Sequence, residues 1–322
     1  MRAACYECTG PARDVLYVAD VERPEPGPGQ VRVRVAVSGV NPTDVKTRSG
    51  VTPRPIDGFQ IPHQDGAGAI DAVGAGVDPA RVGQRVWVWF AAVGQRWGTA
   101  AEWTVVPAHQ AVPLPDHVSY DLGASVGVPA MTAYHCLFVD GSVTDRTVLV
   151  AGGAGAVGHF AIELAKRGGA RVLSTVSSAE KAKLAAGAGA EYVVNYRDSD
   201  AIEQFRAITP QVDRIIEVAL AANLELDLAL SGPQTTIVTY ATQVDPILPI
   251  RSCMAANVTL RFVLLYGVPA EALGTAYHQI TMALLEGALT ELPVHRFGLH
   301  QIIEAHEAVE SGVTGKVLVD FG

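Results

Sequence analysis

Alternation of apolar and polar positions dominates the first third of the chain. The stretches VRVRVAV (31–37), AGAIDAVG (67–74), RVWVWF (85–90) and AAEWTVVP (100–107) carry the period of two that half-buried strands require. Turn formers in PEPGPG (24–29) and NP (41–42) punctuate them, so a compact β-rich domain is expected here. From residue 147 the pattern changes. Short apolar runs (TVLVAG, ARVLSTV, YVVNY, VDRIIEVA, TTIVTYA, LRFVLLY) alternate with stretches of helical period such as AVGHFAIELAKRGG and AEKAKLAAGAGA. Strand–helix–strand repetition folds as a parallel sheet wound on both faces. A long helical pattern over 269–289 then leads through IIEAHEAVESG to a closing strand, KVLVDFG, which is expected to return to the first domain. The expected division is 1–123, 124–265 and a returning segment 266–322.

Composition narrows the function classes. A hydrophobic content of 49% with 18% charged residues describes an enzyme-sized protein with large cores. Lys and Arg number 24 against 33 Asp and Glu, a formal charge of −9 that repels polyphosphate backbones and anionic lipid. The opening MRAACYECTG reaches Glu7 before any signal-like apolar region develops, and no run of about 18 apolar residues occurs, so a cytoplasmic protein is expected. Cys5, Cys8, Cys136 and Cys253 are too scattered for a disulfide framework. Cys5 and Cys8 form a C-x-x-C, but positions three apart on a strand face opposite ways and no second pair completes a tetrahedral site.

The segment TVLVAGGAGAVGHFAIELAKRGGARVLSTV sets Gly153-x-Gly155-x-x-Gly158 between a strand and a helix that leads to a second strand. That is the setting of a dinucleotide fingerprint: glycines permit the tight turn and close backbone approach, and the helix N-terminus offers N–H donors to a pyrophosphate. The second strand ends Ser174-Thr175-Val176-Ser177-Ser178, with Lys181 one turn further on and no acid at its tip. A carboxylate there would accept ribose hydroxyls and repel a 2′-phosphate, whereas hydroxyls and an ammonium bind one; NADPH is therefore expected. The alternative is that the serines cap the next helix and Lys181 is solvated, leaving the preference open.

With SGVNPTDVKTRSG, VGVPAMTAYHCL, VLVAGGAGAVG, AEYVVNYRD, RIIEVALAANLELDLALSG and VTGKVLVDF in this order, the chain resembles the medium-chain dehydrogenase/reductase superfamily, and within it the zinc-independent, zeta-crystallin-like NADPH:quinone oxidoreductases. The resemblance implies an α/β protein: a Rossmann doubly wound parallel sheet plus a β-rich GroES-like catalytic domain. Zinc alcohol dehydrogenases of the superfamily take ligands from positions that match Asn41, Gln64 and Val128 here. None is a thiolate or imidazole, and His63 stands one residue off, so no zinc is expected. His63 and Asp65 are expected to shape a turn under the active site.

The resemblance also assigns residues to the cofactor. Asn41 and Thr132 would lie near the nicotinamide; Ala154, Gly155, Ala156 and Val157 would carry the pyrophosphate turn; Ser177, Lys181 and Tyr196 would surround the 2′-phosphate. Asn223, Tyr240, Ala241 and the run Phe262, Val263, Leu264 and Leu265 match segments along the adenosine and nicotinamide halves, and Lys316 matches a residue facing the cleft. Each has a plainer reading: Asn41 as a turn starter before Pro42, Thr132 as a core residue, Tyr196 as a strand-end aromatic. Among the clustered tryptophans, Trp87 and Trp89 share a strand face and should fill the core, leaving Trp97 as the pocket candidate.

Without a Lewis acid the acceptor must be easily reduced, and a quinone or conjugated carbonyl spreads incoming charge over its π system. Where relatives place a tyrosine near the nicotinamide, this chain has Thr52, ahead of Pro53. A donor suited to an enolate is thus absent there, which favours a quinone over the rival 2-alkenal or enoyl-thioester acceptor. A different class, a crystallin-like structural or AU-rich RNA-binding protein, exists on this scaffold, and the acidic balance counts against RNA. The apolar strand NVTLRFVLLY, expected at a sheet edge, suggests a homodimer or homotetramer.

Overall fold

The computed structural model describes residues 1–242 and 244–321; Gln243 and Gly322 lie outside the described residues. The chain divides into two compact units, one built from Met1–Val128 with the segment from Glu291 onward, the other from Pro129–Thr290. The first division falls inside one helix, Tyr120–Phe138, at Pro129. These limits differ from the expected 123/124 and 265/266. Helix Ala270–Leu285 lies in the second unit, where Glu286 just beyond it takes two hydrogen bonds from Arg167.

In the first unit the strand Gln30–Val40 is central. It pairs antiparallel with Asp65–Val73, Trp103–Pro107 and the late strand Lys316–Asp320. Beyond these lie Arg85–Val88 and Ala111–Pro113 on one side and Val294–Gly298 on the other. The period of two accounts for the packing: Val31, Val33, Ile70, Val86, Val88 and Val106 form one apolar cluster. The intervening Arg32 is buried too, paired with Asp71 at 2.9 Å and Glu25 at 2.6 Å. Trp87 and Trp89 are buried as core residues. Cys5 ends a short strand, Arg2–Cys5, and is buried, while Cys8 beyond it is exposed; both are free thiols.

In the second unit six parallel strands lie in the order Tyr192–Asn195, Arg171–Val176, Thr147–Val150, Val212–Glu217, Ser231–Thr239, Thr259–Phe262. The chain starts at the middle, winds outward one way, returns and winds the other. Order therefore reverses between Thr147–Val150 and Val212–Glu217, and the crevice beyond their carboxyl ends is where such sheets bind ligands. The fold class is the expected one. Thr259–Phe262 is the edge strand, as its sequence suggested. No helix among the described residues is long and apolar enough to cross a membrane.

Two glycines on regular elements differ sharply in their surroundings. A Cβ on Gly39, in the central strand, would lie 2.0 Å from the Ala124 carbonyl oxygen, whereas one on Gly187, in helix Ala179–Ala188, would meet nothing within 4 Å. Gly39→Ala should therefore cost about 3 kcal/mol or more by overpacking, and Gly187→Ala should add about 0.5 kcal/mol from helix propensity. Urea unfolding midpoints measure both; a tolerated Gly39→Ala would mean that the helix–strand approach is not rigid.

Candidate functional site

The glycine turn of the second unit is built for close approach. A Cβ on Gly153 would fall 2.1 Å from Ser174 Oγ, and one on Gly158 would fall 2.4 Å from the Gly152 carbonyl oxygen. Gly152 itself has φ 68°, the left-handed region that favours glycine. Gly155 is different: it is exposed and its nearest neighbour would be 3.4 Å away, so its small size leaves a space that nothing in the protein fills. It is the N-cap of helix Ala156–Arg167 and contributes no side-chain cap. The first-turn N–H groups at Ala156 and Val157 thus face that opening with the positive helix end behind them. Ala154 is buried beneath the turn. These residues fit a dinucleotide pyrophosphate.

Beside the turn, Thr175 Oγ1 accepts from the Gly152 N–H at 3.2 Å and Ser174 Oγ donates to the Val150 carbonyl at 2.9 Å, which ties the second strand to the turn. Ser178 caps helix Ala179–Ala188 by accepting from the Lys181 N–H, so the plainer reading holds for that serine. Ser177 and the Lys181 side chain are half-buried and are not used by the cap. Tyr196 donates its backbone N–H to the Val176 carbonyl at 3.0 Å, which puts it next to Ser177. Arg197, overlooked in the sequence, stacks over the Tyr196 ring at 5.8 Å. The RD that follows Tyr196 was the only signal for it.

The other cofactor candidates scatter. Asn223 donates its amide to Glu217 Oε1 at 2.9 Å. Tyr240 and Ala241 follow the strand Ser231–Thr239, and Thr132 is buried in its helix. Of the run after the edge strand, Val263 and Leu265 are buried, while Phe262 and Leu264 are exposed at 68% and 70%. The sequence gave no hint of an acid pair at the switch point. Glu217 and Asp227 are both fully buried and within hydrogen-bonding reach of each other. Glu217 Oε1 also accepts from the Ala219 N–H, but Glu217 Oε2 and both Asp227 oxygens have no other partner. Burial and mutual repulsion push Asp227 well up, and burial pushes Glu217 up, so the two carboxyls share a proton.

In the first unit the three positions aligned with zinc ligands converge on other work. Asn41 is buried, with Nδ2 donating to Asp65 Oδ2 at 2.7 Å and Oδ1 accepting from Lys316 Nζ at 2.6 Å. Val128 contributes its backbone N–H to both Asp65 oxygens at 2.9 Å. Gln64 Oε1 accepts from the Ala92 N–H at 3.2 Å. Asp65 is therefore a fully buried carboxylate held by an amide, a backbone N–H and an ammonium 3.9 Å away. Burial raises it to about 6 against the opposing pull of Lys316, Asn41 and Val128. Burial lowers Lys316, opposed by Asp65 and Asp44. Asp44 is raised to about 7 by burial and by the Asp65 charge. Among the described residues no group of three or more His, Cys, Asp or Glu is placed to hold a metal ion.

His63 adopts φ 77°, and its ring stacks on His306 with centroids 5.1 Å apart. The hydrogen bonds fix every proton in this group. Thr99 must donate to the Asp65 carbonyl at 2.6 Å, so it accepts from Ser38 at 2.7 Å. Ser38 then accepts from His63 Nδ1 at 2.8 Å, and His63 Nε2 accepts from His306 Nε2–H at 3.0 Å. Both rings are neutral, consistent with burial lowering both. His63 thus has no nitrogen left for a metal; with Asp65 it locks the turn, as expected. A cleft beside it is lined by Tyr6, Asp44, Thr47, Arg54 and Gln64 among others. Thr52 is exposed, 3.5 Å from Thr47 Oγ1, and is not among its lining residues. Trp97 is also outside the lining; it packs edge-on against Phe59 at 5.9 Å.

Comparison with known proteins gives a consistent picture. Residues 27–116 match the family model "Alcohol dehydrogenase GroES-like domain", and residues 156–280 match "Zinc-binding dehydrogenase". A mycobacterial quinone oxidoreductase structure is 30% identical with a TM-score of 0.86, each chain covered in full. A mycobacterial structure complexed with NADPH is 29% identical, also at 0.86 and full coverage of both chains. The human protein named quinone oxidoreductase is 29% identical over 99% of this chain and 97% of its own length. An NAD-dependent alcohol dehydrogenase structure has 26% identity and a TM-score of 0.92, again with full coverage of both.

The shared proton of Glu217 and Asp227 makes stability depend on pH. Separated in the unfolded chain, the two carboxyls release their protons at about pH 4, whereas the folded pair retains one to higher pH. The stability from that proton is complete below the unfolded value and is lost as pH rises through the folded one. Asp227→Asn keeps a neutral donor beside Glu217. The unmodified protein should therefore lose more urea resistance than the variant between about pH 5 and about pH 8. Parallel pH slopes would show that the pair is not proton-linked.

Proposed function

The chain belongs to the quinone oxidoreductases of the medium-chain dehydrogenase/reductase family, and from that membership we propose that it is an NADPH-dependent reductase acting on a quinone. NADPH, when bound, supplies the hydride. The protein's own part is to hold cofactor and acceptor in register and exclude competing chemistry. The N–H groups of Ala156 and Val157, behind the space left at Gly155, hold the pyrophosphate. Ser177, Lys181 and Tyr196, joined by Arg197, hold the 2′-phosphate, and no carboxylate stands at that strand tip to repel it. Asn41 and Thr132 border the nicotinamide.

One observation carries the choice of acceptor: Asn41 has its oxygen and its nitrogen both committed, to Lys316 and Asp65. The position from which zinc relatives draw a thiolate serves here as a fixed hydrogen-bonding strut. An acceptor that needs a Lewis acid at its oxygen finds no donor set for one, and a quinone does not need it. A screen of NADPH oxidation across quinones, enals and crotonyl thioesters tests this. Quinone turnover is expected; efficient thioester turnover with quinones inert would make the chain an enoyl reductase. Lys181→Ala should weaken NADPH by roughly 1 to 3 kcal/mol, the worth of a charged hydrogen bond, with little effect on NADH. Equal losses for both cofactors would remove Lys181 from the 2′-phosphate site.

We further infer that the chain assembles as a homodimer or homotetramer through the edge strand Thr259–Phe262, whose flanking Phe262 and Leu264 are exposed. Sedimentation as a monomer at micromolar concentration would overturn this.

A further inference from the structure

The residue that protonates the reduced acceptor was not apparent at Thr52, and the structure offers another. Asp44 stands in the first turn of helix Pro42–Ser49 and is buried. Its Oδ2 accepts from the Asn41 backbone N–H at 2.8 Å. Its Oδ1 has no hydrogen-bond partner, and Asp44 lines the cleft with Tyr6, Thr47, Arg54, His63 and Gln64. A buried carboxylate oxygen with nothing to bond is costly, whereas a carboxylic O–H waiting for an acceptor is not.

We propose that Asp44 is the general acid of this enzyme, delivering a proton from Oδ1 to the oxygen of the reduced quinone in the cleft. The inference rests on the quinone reading above. Once the acceptor has gained the hydride from NADPH it is a hydroquinone monoanion with one phenolate oxygen. The Oδ1–H bond of Asp44 breaks, an O–H bond forms on that oxygen, neutral hydroquinone leaves, and Asp44 remains as a carboxylate until water returns a proton. Two electrons and one proton arrive with the hydride and the second proton comes from the acid, so the step balances.

The surroundings suit such a cycle. Asp65 and burial favour neutral Asp44, while the Asn41 N–H, Lys316 and Arg54 favour its anion and bring the value to about 7. Tyr6, which feels the Asp44 charge, is itself raised to about 12 and stays protonated, and His63 is neutral. A phenol ordinarily titrates near about 10, so transfer from this acid to a phenolate runs downhill. Proton donation of this kind contributes on the order of a hundredfold or more when the product anion is basic, and less as it becomes acidic.

The experiment compares two benzoquinones of one shape, tetramethyl and tetrachloro, whose hydroquinones are weak and strong acids. Asp44→Asn keeps the acceptor for the Asn41 N–H. It should slow tetramethylquinone reduction by about a hundredfold, with a loss on tetrachloroquinone at least about tenfold smaller. The unmodified enzyme's kcat on the weak-acid quinone should fall as pH rises through about 7. Infrared difference spectra of the cofactor-free protein should show a carboxyl band lost over the same pH range and missing in Asp44→Asn. Equal losses on both quinones, or a carboxyl that is already ionised at pH 5, would overturn the assignment while leaving quinone reduction intact. An unmodified enzyme inactive on both quinones would sink the functional reading, and this inference with it.

Discussion

A fully buried carboxylate, Asp65, sets the terms for the first unit. Such a charge is tolerable only where opposite charge and hydrogen-bond donors meet it, and its partners come from every part of the unit. Asn41 comes from the end of the central strand, Lys316 from the closing strand, and the Val128 N–H from the long helix. The helix must come close to deliver that N–H, and two glycines permit it. A Cβ at Gly39 would strike the Ala124 carbonyl, and one at Gly127 would lie 2.2 Å from Asp65 Oδ1. Sheet pairing of Lys316–Asp320 against Gln30–Val40 then places an ammonium 275 residues from Asn41 in sequence beside its amide oxygen.

Much of the scaffold was legible before the structure because strand alternation and the glycine turn are local. VRVRVAV packs on its valines, and the spacing of Gly153, Gly155 and Gly158 places one open and two crowded positions in the turn. What stayed hidden depends on contacts between distant segments. Asp44 and Asp65 read separately as a helix-start acid and a turn acid, and only folding makes them neighbours that raise one another. His63 looked like a stray ligand because its partner, His306, lies 243 residues away. Trp97 illustrates the opposite error: an aromatic in a glycine-bearing loop suggests a stacking wall, but Phe59 supplies it with an edge contact instead.

The second unit shows the same division between local pattern and distant contact. Ser177, Lys181 and Tyr196 could be grouped from sequence because consecutive parallel strands bring their carboxyl ends side by side, and the register Val176 to Asn195 does so. Asn223 was read as facing the adenosine, yet its amide is anchored on Glu217, which in turn faces Asp227 on the same helix as Asn223. An i, i+4 spacing of Asn and Asp on an apolar helix is ordinary; it gains meaning only from the acid buried opposite.

The chemistry available to the first unit follows from what its buried charges are already doing. A zinc site needs deprotonated thiolate and neutral imidazole converging on a common point. Here the common point is Asp65, and the groups around it are donors: an amide, a backbone N–H and an ammonium. Changing Asn41 to cysteine would give one ligand but would also strip Asp65 of a donor and leave Lys316 without its 2.6 Å partner, in a setting where both charges are buried. Gln64 and Val128 would have to change as well. Metal chemistry and the present network are thus alternative ways of using the same three positions, and the second commits the protein to acceptors that carry their own electron-accepting π system.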